Sequence, residues 1–352
     1  MSYPAYKKFL SKNSLILGGN TVQTIDMHTG GEPLRVIVSG MPPLTGENVL
    51  QNRRQMMEQY DHFRKMLMWE PRGHADMYGC ILLPPNDEGA DLGVLFMHNE
   101  GFSTMCGHAV IALARLAVEM GWVEKTLPET RVTLDAPCGR IYASALYEKD
   151  KYVGSSFECV PSFVLETDQT IEVEGLGQVT YDLAYGGAFY AYVNSDDLGL
   201  SLEANNHKKI IETGRKIKNA VIASGKKINH PFFNDLSFLY GTIFISKKGK
   251  SNGDIHSKNV CIFADGELDR SPTGSGVAGR MALLYSKGEV AVGEKVKIES
   301  ITGSVFGGEV IRAEKYGEVN AVIPRVEGTA YITGNHTFIL EKDDPYQEGF
   351  LL

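Results

Sequence analysis

Strand-like apolar stretches dominate the pattern of this chain. TVQTIDMH, PLRVIVSG, DMYGCILL and LGVLFMH come first, then GRIYASALY, KYVGSSFECV, VTYDLAY, AFYAYVN, SFLYGTIFIS and NVCIFA, with several more after residue 296. Four helical segments interrupt them. Residues 47–69 and 201–224 are long and amphipathic, whereas 106–120 and 273–287 are short and apolar. In the third of these segments Val110, Leu113, Leu116, Ala117 and Met120 recur at helical spacing, and Gly121 stops the run. The expectation is a buried helix closed at its C-terminus by glycine, with Cys106 at its start.

The order of these elements repeats. Each half reads strand, a glycine-pair turn (Gly30–Gly31 or Gly186–Gly187), strand, long helix, strands and short apolar helix. CGHAVIALARLAVEMG from Cys106 and TGSGVAGRMALLYSKG from Thr273 align without a gap, pairing Gly107 with Gly274, Val110 with Val277, Leu116 with Leu283 and Gly121 with Gly288. An internal duplication follows. Two strand-rich domains are expected, each cored by one short helix, with the helix starts facing one another across an interdomain cleft, where ligand sites tend to lie. The first domain covers residues 1–150 and is completed by a strand at about 328–345; the second covers 151–327.

Length and composition agree with two domains, because 352 residues at 43% hydrophobic content bury more core than one domain comfortably holds. Charge narrows the partners. With 35 basic and 43 acidic residues the net charge is −8, without a long basic run, which argues against nucleic acid and anionic membrane. No stretch has the length and apolarity of a membrane span, and MSYPAYKKFLSKNSLILGGN lacks the features of a secretory leader, so a cytoplasmic protein acting on a small molecule is expected. Five cysteines without CxxC spacing suggest neither a disulfide framework nor a zinc site, and Cys80, Cys138, Cys159 and Cys261 read as inert small core residues. HExxH, GxGxxG and GxxxxGK[ST] are all absent, so metals, dinucleotides and nucleotides are not indicated.

The candidate chemistry therefore sits at the two helix starts. Each presents backbone N–H groups and the positive end of a dipole, and Gly107 and Gly274 allow a carboxylate to approach closely. The same field favours the thiolate of Cys106, a candidate base or nucleophile; burial as an inert residue is the plainer reading on position alone, and the duplication, which starts the equivalent helix with polar Thr273, weighs against it. Other positions leave a choice open. Thr273 either caps its helix or belongs to a ligand-cradling turn, Asp269 either accepts from a ligand ammonium or pairs with Arg270, and His108 is either a ligand-facing donor or a capping side chain.

MCGH at 105–108, DRSPTGSG at 269–276, DMHTGGEPLRVI at 26–37 and EPRGHADMYG at 70–79 together resemble the proline racemase family, from about residue 22 to 340. The resemblance implies a diaminopimelate-epimerase-like α/β (α+β) fold of two pseudo-symmetric domains, each a curved, mainly antiparallel sheet around a central helix. It also implies an active site in the interdomain cleft, no cofactor or metal, and a homodimer. Cys106 matches the first proton-transferring cysteine of the racemases, but Thr273 stands where racemases and epimerases carry the second. A threonine alcohol is a far weaker acid than a thiol, and the pattern is similar to that of the trans-3-hydroxy-L-proline dehydratases. In that substrate the Cα hydrogen and the 3-hydroxyl share one ring face, so a single residue could take the proton and return one to the departing oxygen. By motif, Gly107, His108, Gly274 and Ser275 would hold the carboxylate, mainly through backbone N–H groups, Asp269 would hold the ring nitrogen, and Thr273 would contact substrate. A proline racemase or hydroxyproline 2-epimerase, and a non-catalytic binder of pyrrolidine carboxylates, are the alternatives.

Overall fold

The computed structural model describes residues 21–246 and 257–352. The reading of the leader falls on residues 1–20 and lies outside the described residues. Contacts divide the chain into two compact units, one running up to Phe157 and taking back Thr329–Leu352, the other Glu158–Gly328.

The first unit begins with β1 (Thr21–Thr29), β2 (Glu32–Ser39), α1 (Val49–Gln59), α2 (Asp61–Met68), β3 (Tyr78–Leu83), β4 (Leu92–His98), β5 (Phe102–Ser103) and α3 (Gly107–Glu119), then β6 (Glu129–Ala136), β7 (Gly139–Glu148) and β8 (Lys151–Glu158). In the second unit β9 (Ser162–Val173), β10 (Gly177–Tyr185), β11 (Phe189–Asn194), α4 (His207–Ala223), β12 (Leu239–Ser246), β13 (Ser257–Phe263) and β14 (Glu267–Leu268) precede α5 (Gly274–Ser286), β15 (Lys295–Glu299), β16 (Val305–Tyr316) and β17 (Val319–Gly328). The returning segment adds β18 (Ala330–Ile339), which pairs antiparallel with β1.

Strand pairing shows the duplication within each unit. In the first, β1–β2 is an antiparallel hairpin, β2–β3 is parallel across α1 and α2, β3–β4 is antiparallel, β4–β6 is parallel across α3, and β6–β7 is antiparallel. In the second, β10–β11, β11–β12, β12–β13, β13–β15 and β15–β16 repeat the same directions around α4 and α5. There β16 pairs with β17, and β17 meets β9, which returns to β10, so the strands close into a barrel around α5.

The two central helices are apolar on most sides, Arg115 and Glu119 in α3 and Arg280 in α5 apart, and the structure buries them accordingly. Ala109 to Ala114, Leu116 and Ala117 have no exposed surface in α3, and neither do Val277, Ala278, Met281, Leu283 and Leu284 in α5. Each such Leu, Ile, Val or Met removed from water contributes roughly 1.5–3 kcal/mol, so a ring of strands on all sides is the arrangement that satisfies the sequence. Both helices end alike. Gly121 takes φ 65° and Gly288 φ 70°, while Trp122 N–H donates to Ala117 O and Glu289 N–H to Leu284 O, each at 2.8 Å. Only a residue without a side chain enters this left-handed turn freely, which is why each apolar run stops at glycine.

The long helices are shorter than the sequence suggests. The segment 47–69 is two helices broken at Tyr60 (φ −130°), because buried Arg64 holds Asp61 at 2.6 Å and the carbonyl of His98 at 3.0 Å, which fixes where α2 begins. The segment 201–224 becomes helical only at Ala204, with a turn of 3-10 helix leading into α4. All five cysteines are buried and free. Burial pushes the Cys80 thiol upward and that of Cys159 to about 12, which keeps both protonated and unreactive. Among the described residues no helix is long and apolar enough to cross a membrane, and no cluster of His, Cys, Asp and Glu is suited to a metal.

In the second unit the His230 ring is enclosed by Tyr185 at 5.0 Å, Phe233 at 5.5 Å and Tyr316 at 5.7 Å, and its Nδ1 accepts from the amides of Phe232 and Phe233. Burial lowers its pKa to about 4, so the unfolded chain binds a proton there more readily than the folded one. Stability contributed by the neutral ring is therefore present above pH 6.5 and is lost as pH falls toward 4. Urea midpoints between those limits should fall more steeply for the natural chain than for His230→Phe, and equal slopes would remove His230 from the acid response.

Candidate active site

Cys106 is the residue before the first turn of α3, in extended conformation (φ −143°, ψ 103°) and 4% exposed. The strand before it is tied down, since Cys138 N–H donates to Thr104 O at 3.1 Å, and Val110 N–H closes the first helical turn on Cys106 O at 3.1 Å. The backbone of Cys106 is therefore held at the helix start, which brings its sulfur into the field of that end.

His108 is equally buried, and its imidazole lies against that sulfur, with Nδ1 at 3.2 Å and Nε2 at 3.7 Å from Sγ. The ring is positioned from elsewhere in the unit. Tyr78 on β3 meets it edge to face at 4.8 Å, is hydrogen-bonded through its own hydroxyl to Ser103 and stacks on His98 at 5.7 Å. From the glycine-pair turn, Thr29 Oγ1 donates to His108 O at 2.9 Å, docking the β1–β2 hairpin on the helix start. The structure turns the His108 side chain to the thiol, which is neither of the two uses the sequence left open. A thiol and an imidazole at this separation can exchange a proton.

The second helix start carries different chemistry on the same frame. Thr273 has φ 66° and ψ 98°, a backbone conformation that a β-branched residue adopts only when its surroundings impose it. What imposes it is a closed loop of hydrogen bonds. Thr273 Oγ1 donates to Asp269 Oδ2 at 2.7 Å, Ser271 N–H donates to Asp269 Oδ1 at 2.7 Å, and Thr273 N–H donates to Ser271 Oγ at 3.1 Å. Asp269 is 4% exposed, a buried carboxylate held by its own turn, where the sequence left open a surface pair with Arg270. The Thr273 hydroxyl, read from the sequence as a contact to substrate, gives its hydrogen to Asp269.

Gly274 and Ser275 begin α5, and two tyrosines of β11 hold its first turn. Ser275 Oγ shares a hydrogen bond of 2.8 Å with Tyr190, and Tyr192 donates to Gly276 O at 2.8 Å. Burial pushes the Tyr190 phenol well above its usual range, so it stays neutral beside the helix start. Neither tyrosine was singled out in the sequence, although FYAYVN on a strand places them on one face, a signal available there. Gly186 supplies the remaining contact. A side chain at this position would run into Ser275 O and Gly279 N, so the β10–β11 turn rests directly on the first turn of α5.

A family profile described as proline racemase matches residues 24–351. The trans-3-hydroxy-L-proline dehydratase of Colwellia psychrerythraea is 51% identical over 332 residues, covering 94% of this chain and 93% of its own length. The trans-3-hydroxy-L-proline dehydratase of Homo sapiens is 46% identical over 344 residues, covering 95% and 96%. Among solved structures, a hydroxyproline epimerase from Agrobacterium vitis with bound trans-4-hydroxy-L-proline superposes with a TM-score of 0.88 at 29% identity, covering 95% of this chain and 96% of its own.

The docking of the glycine-pair turn is open to a direct check. Gly186→Ala should destabilise the protein by about 1–3 kcal/mol through overpacking against α5, whereas Gly101→Ala, where a methyl group meets open space, should leave the urea midpoint nearly unchanged. Equal midpoints for both variants would show that the turn does not bear on the helix start.

Proposed function

The chain belongs to the proline racemase family, and from that premise we infer that it is a lyase removing water from trans-3-hydroxy-L-proline to give Δ1-pyrroline-2-carboxylate. The observation carrying this reading is the inequality of the two helix starts. A thiol beside an imidazole stands at one, and an alcohol whose hydrogen is given to a carboxylate stands at the other.

Cys106 takes the Cα proton. The imidazole at 3.2 Å gives the thiol a proton acceptor, and the start of α3 favours the negative sulfur that results. As the Cα–H bond breaks, negative charge spreads into the substrate carboxylate. Backbone N–H groups at Gly107, His108, Gly274 and Ser275 hold that carboxylate and stabilise the growing charge with dipoles already in place. Asp269 accepts the ring ammonium. Each of its oxygens has spent one acceptor site on its own turn, and a carboxylate has about four such sites, so room remains for the substrate nitrogen. Thr273 keeps this carboxylate oriented.

Racemisation needs a second acid–base group on the opposite face of Cα. Thr273 does not supply it, because its alcohol resists ionisation and its hydrogen is already given to the Asp269 carboxyl at 2.7 Å. Elimination needs no second face. The Cα hydrogen and the 3-hydroxyl leave from the same side, and the enamine then tautomerises to the ring imine. A homodimer and a cytoplasmic location belong to the same proposal, on the strength of the family resemblance.

The purified protein should form a product that colours with 2-aminobenzaldehyde from trans-3-hydroxy-L-proline, but not from trans-4-hydroxy-L-proline or L-proline. Cys106→Ser should lower this activity by about 10²–10⁴-fold while pyrrole-2-carboxylate still binds, as loss of the acid–base group without loss of the anion cradle predicts. An active Cys106→Ser enzyme would remove the sulfur from the mechanism. Thr273→Cys places a thiol at the second helix start and should release the Cα hydrogen of D-proline into deuterated water, followed by proton NMR. No exchange in that variant would argue that Thr273 does not face Cα.

A further inference from the structure

We infer that Cys106 and His108 divide the elimination between them, the sulfur taking the Cα proton and the imidazole delivering a second proton to the departing 3-hydroxyl. This rests on the lyase reading above and adds a catalytic residue to it. Hydroxide leaves carbon poorly, so its oxygen must be protonated as the C–O bond breaks. A lone thiol could do so only by taking the Cα proton, then moving to the neighbouring oxygen and giving it up. His108 lies beside the sulfur and makes that movement unnecessary.

Hydroxyls at each helix start have hydrogen-bond partners of their own. Thr273 donates to Asp269, Ser275 is paired with Tyr190, and Tyr78 is paired with Ser103. His108 is held for the task instead, fixed on one side by the edge-to-face contact with Tyr78 and through its main chain by Thr29. The helix start by itself disfavours a positive ring, and a thiolate at the 3.2 Å separation of sulfur and Nδ1 is the charge that would offset this cost.

The proton count closes over one turnover. Thiolate and imidazolium meet the substrate, and the sulfur takes the Cα hydrogen as an S–H bond. The Cα–H electron pair becomes the ring double bond, the C3–O pair leaves with oxygen, and the imidazolium N–H proton completes water. The thiol and neutral imidazole left behind restore the starting pair by passing one proton from sulfur to nitrogen.

Comparison of trans-3-hydroxy-L-proline with trans-3-chloro-L-proline tests the division, because chloride leaves as an anion and needs no proton. In His108→Gln and His108→Asn the ratio of chloride elimination to dehydration should rise by about 100-fold over the natural enzyme, the size of a general-acid contribution. Pyrrole-2-carboxylate binding reports that the cradle is intact. An unchanged ratio, with both reactions slowed together or neither slowed, would overturn the acid role and leave His108 as a partner of the thiol only. The natural enzyme gives a second measurement that needs no variant. Across 3-hydroxy, 3-fluoro and 3-chloro substrates its rates should stay within about 100-fold of one another. A far steeper decline toward hydroxide would also overturn the inference. If the natural enzyme dehydrates nothing, the lyase reading itself fails.

Discussion

A helix that is apolar over most of its surface has to be enclosed, and that constraint organises each unit of this protein. Once α3 and α5 are wrapped by strands, their side chains have no further freedom, and the first turn is where the helix still offers polar groups. Chemistry collects there because unpaired N–H groups and a positive dipole end are left over by helix geometry itself. The glycine-pair turns then rest on those first turns, through Thr29 on His108 O in one unit and through Gly186 on Ser275 O in the other. Position is thus set by packing, and reactivity by the side chains that packing brings to the sulfur and to the hydroxyl.

The two helix starts show how small a difference in side chains gives two unlike arrangements on one frame. Cys106 and Thr273 occupy matching places, as do His108 and Ser275. In the first unit the second helical residue bears an imidazole that reaches back to the sulfur. In the second unit the same position bears a hydroxyl that turns away to Tyr190, and the capping residue instead reaches back to Asp269. A carboxyl group next to an alcohol accepts the alcohol's hydrogen, but it is a far weaker base than the alkoxide, so the hydrogen stays on the alcohol. One pair therefore sets a thiol against an imidazole, and the other commits an alcohol to a carboxyl group. The loop of hydrogen bonds at Thr273 also sustains a backbone conformation that β-branched residues avoid, and such strain persists where its surroundings over-determine it.

Some elements misled the sequence reading for reasons that are physical. The amphipathic pattern of residues 47–69 is continuous, yet a buried arginine with partners on β4 and in the following turn splits the helix at Tyr60. Nothing local in the sequence marks that break, because its cause is a carbonyl about thirty residues away, brought close by the β3–β4 hairpin. Tyr190 and Tyr192 were legible as strand residues on one face, but not as supports of the second helix start.

Sequence by itself determined the repeated order of elements, the burial of two apolar helices, their closure at Gly121 and Gly288, and the presence of a thiol at one start against an alcohol at the other. These follow from periodicity, from the conformational freedom of glycine and from the identity of single residues, all local properties. Tertiary structure alone decided that the His108 ring turns to the sulfur, that the Thr273 hydrogen goes to Asp269, and that Tyr78 and Tyr190 support the two sites. The direction in which a side chain donates, and what it rests against, depends on groups distant in the chain. Only the folded strands bring those groups within hydrogen-bonding range.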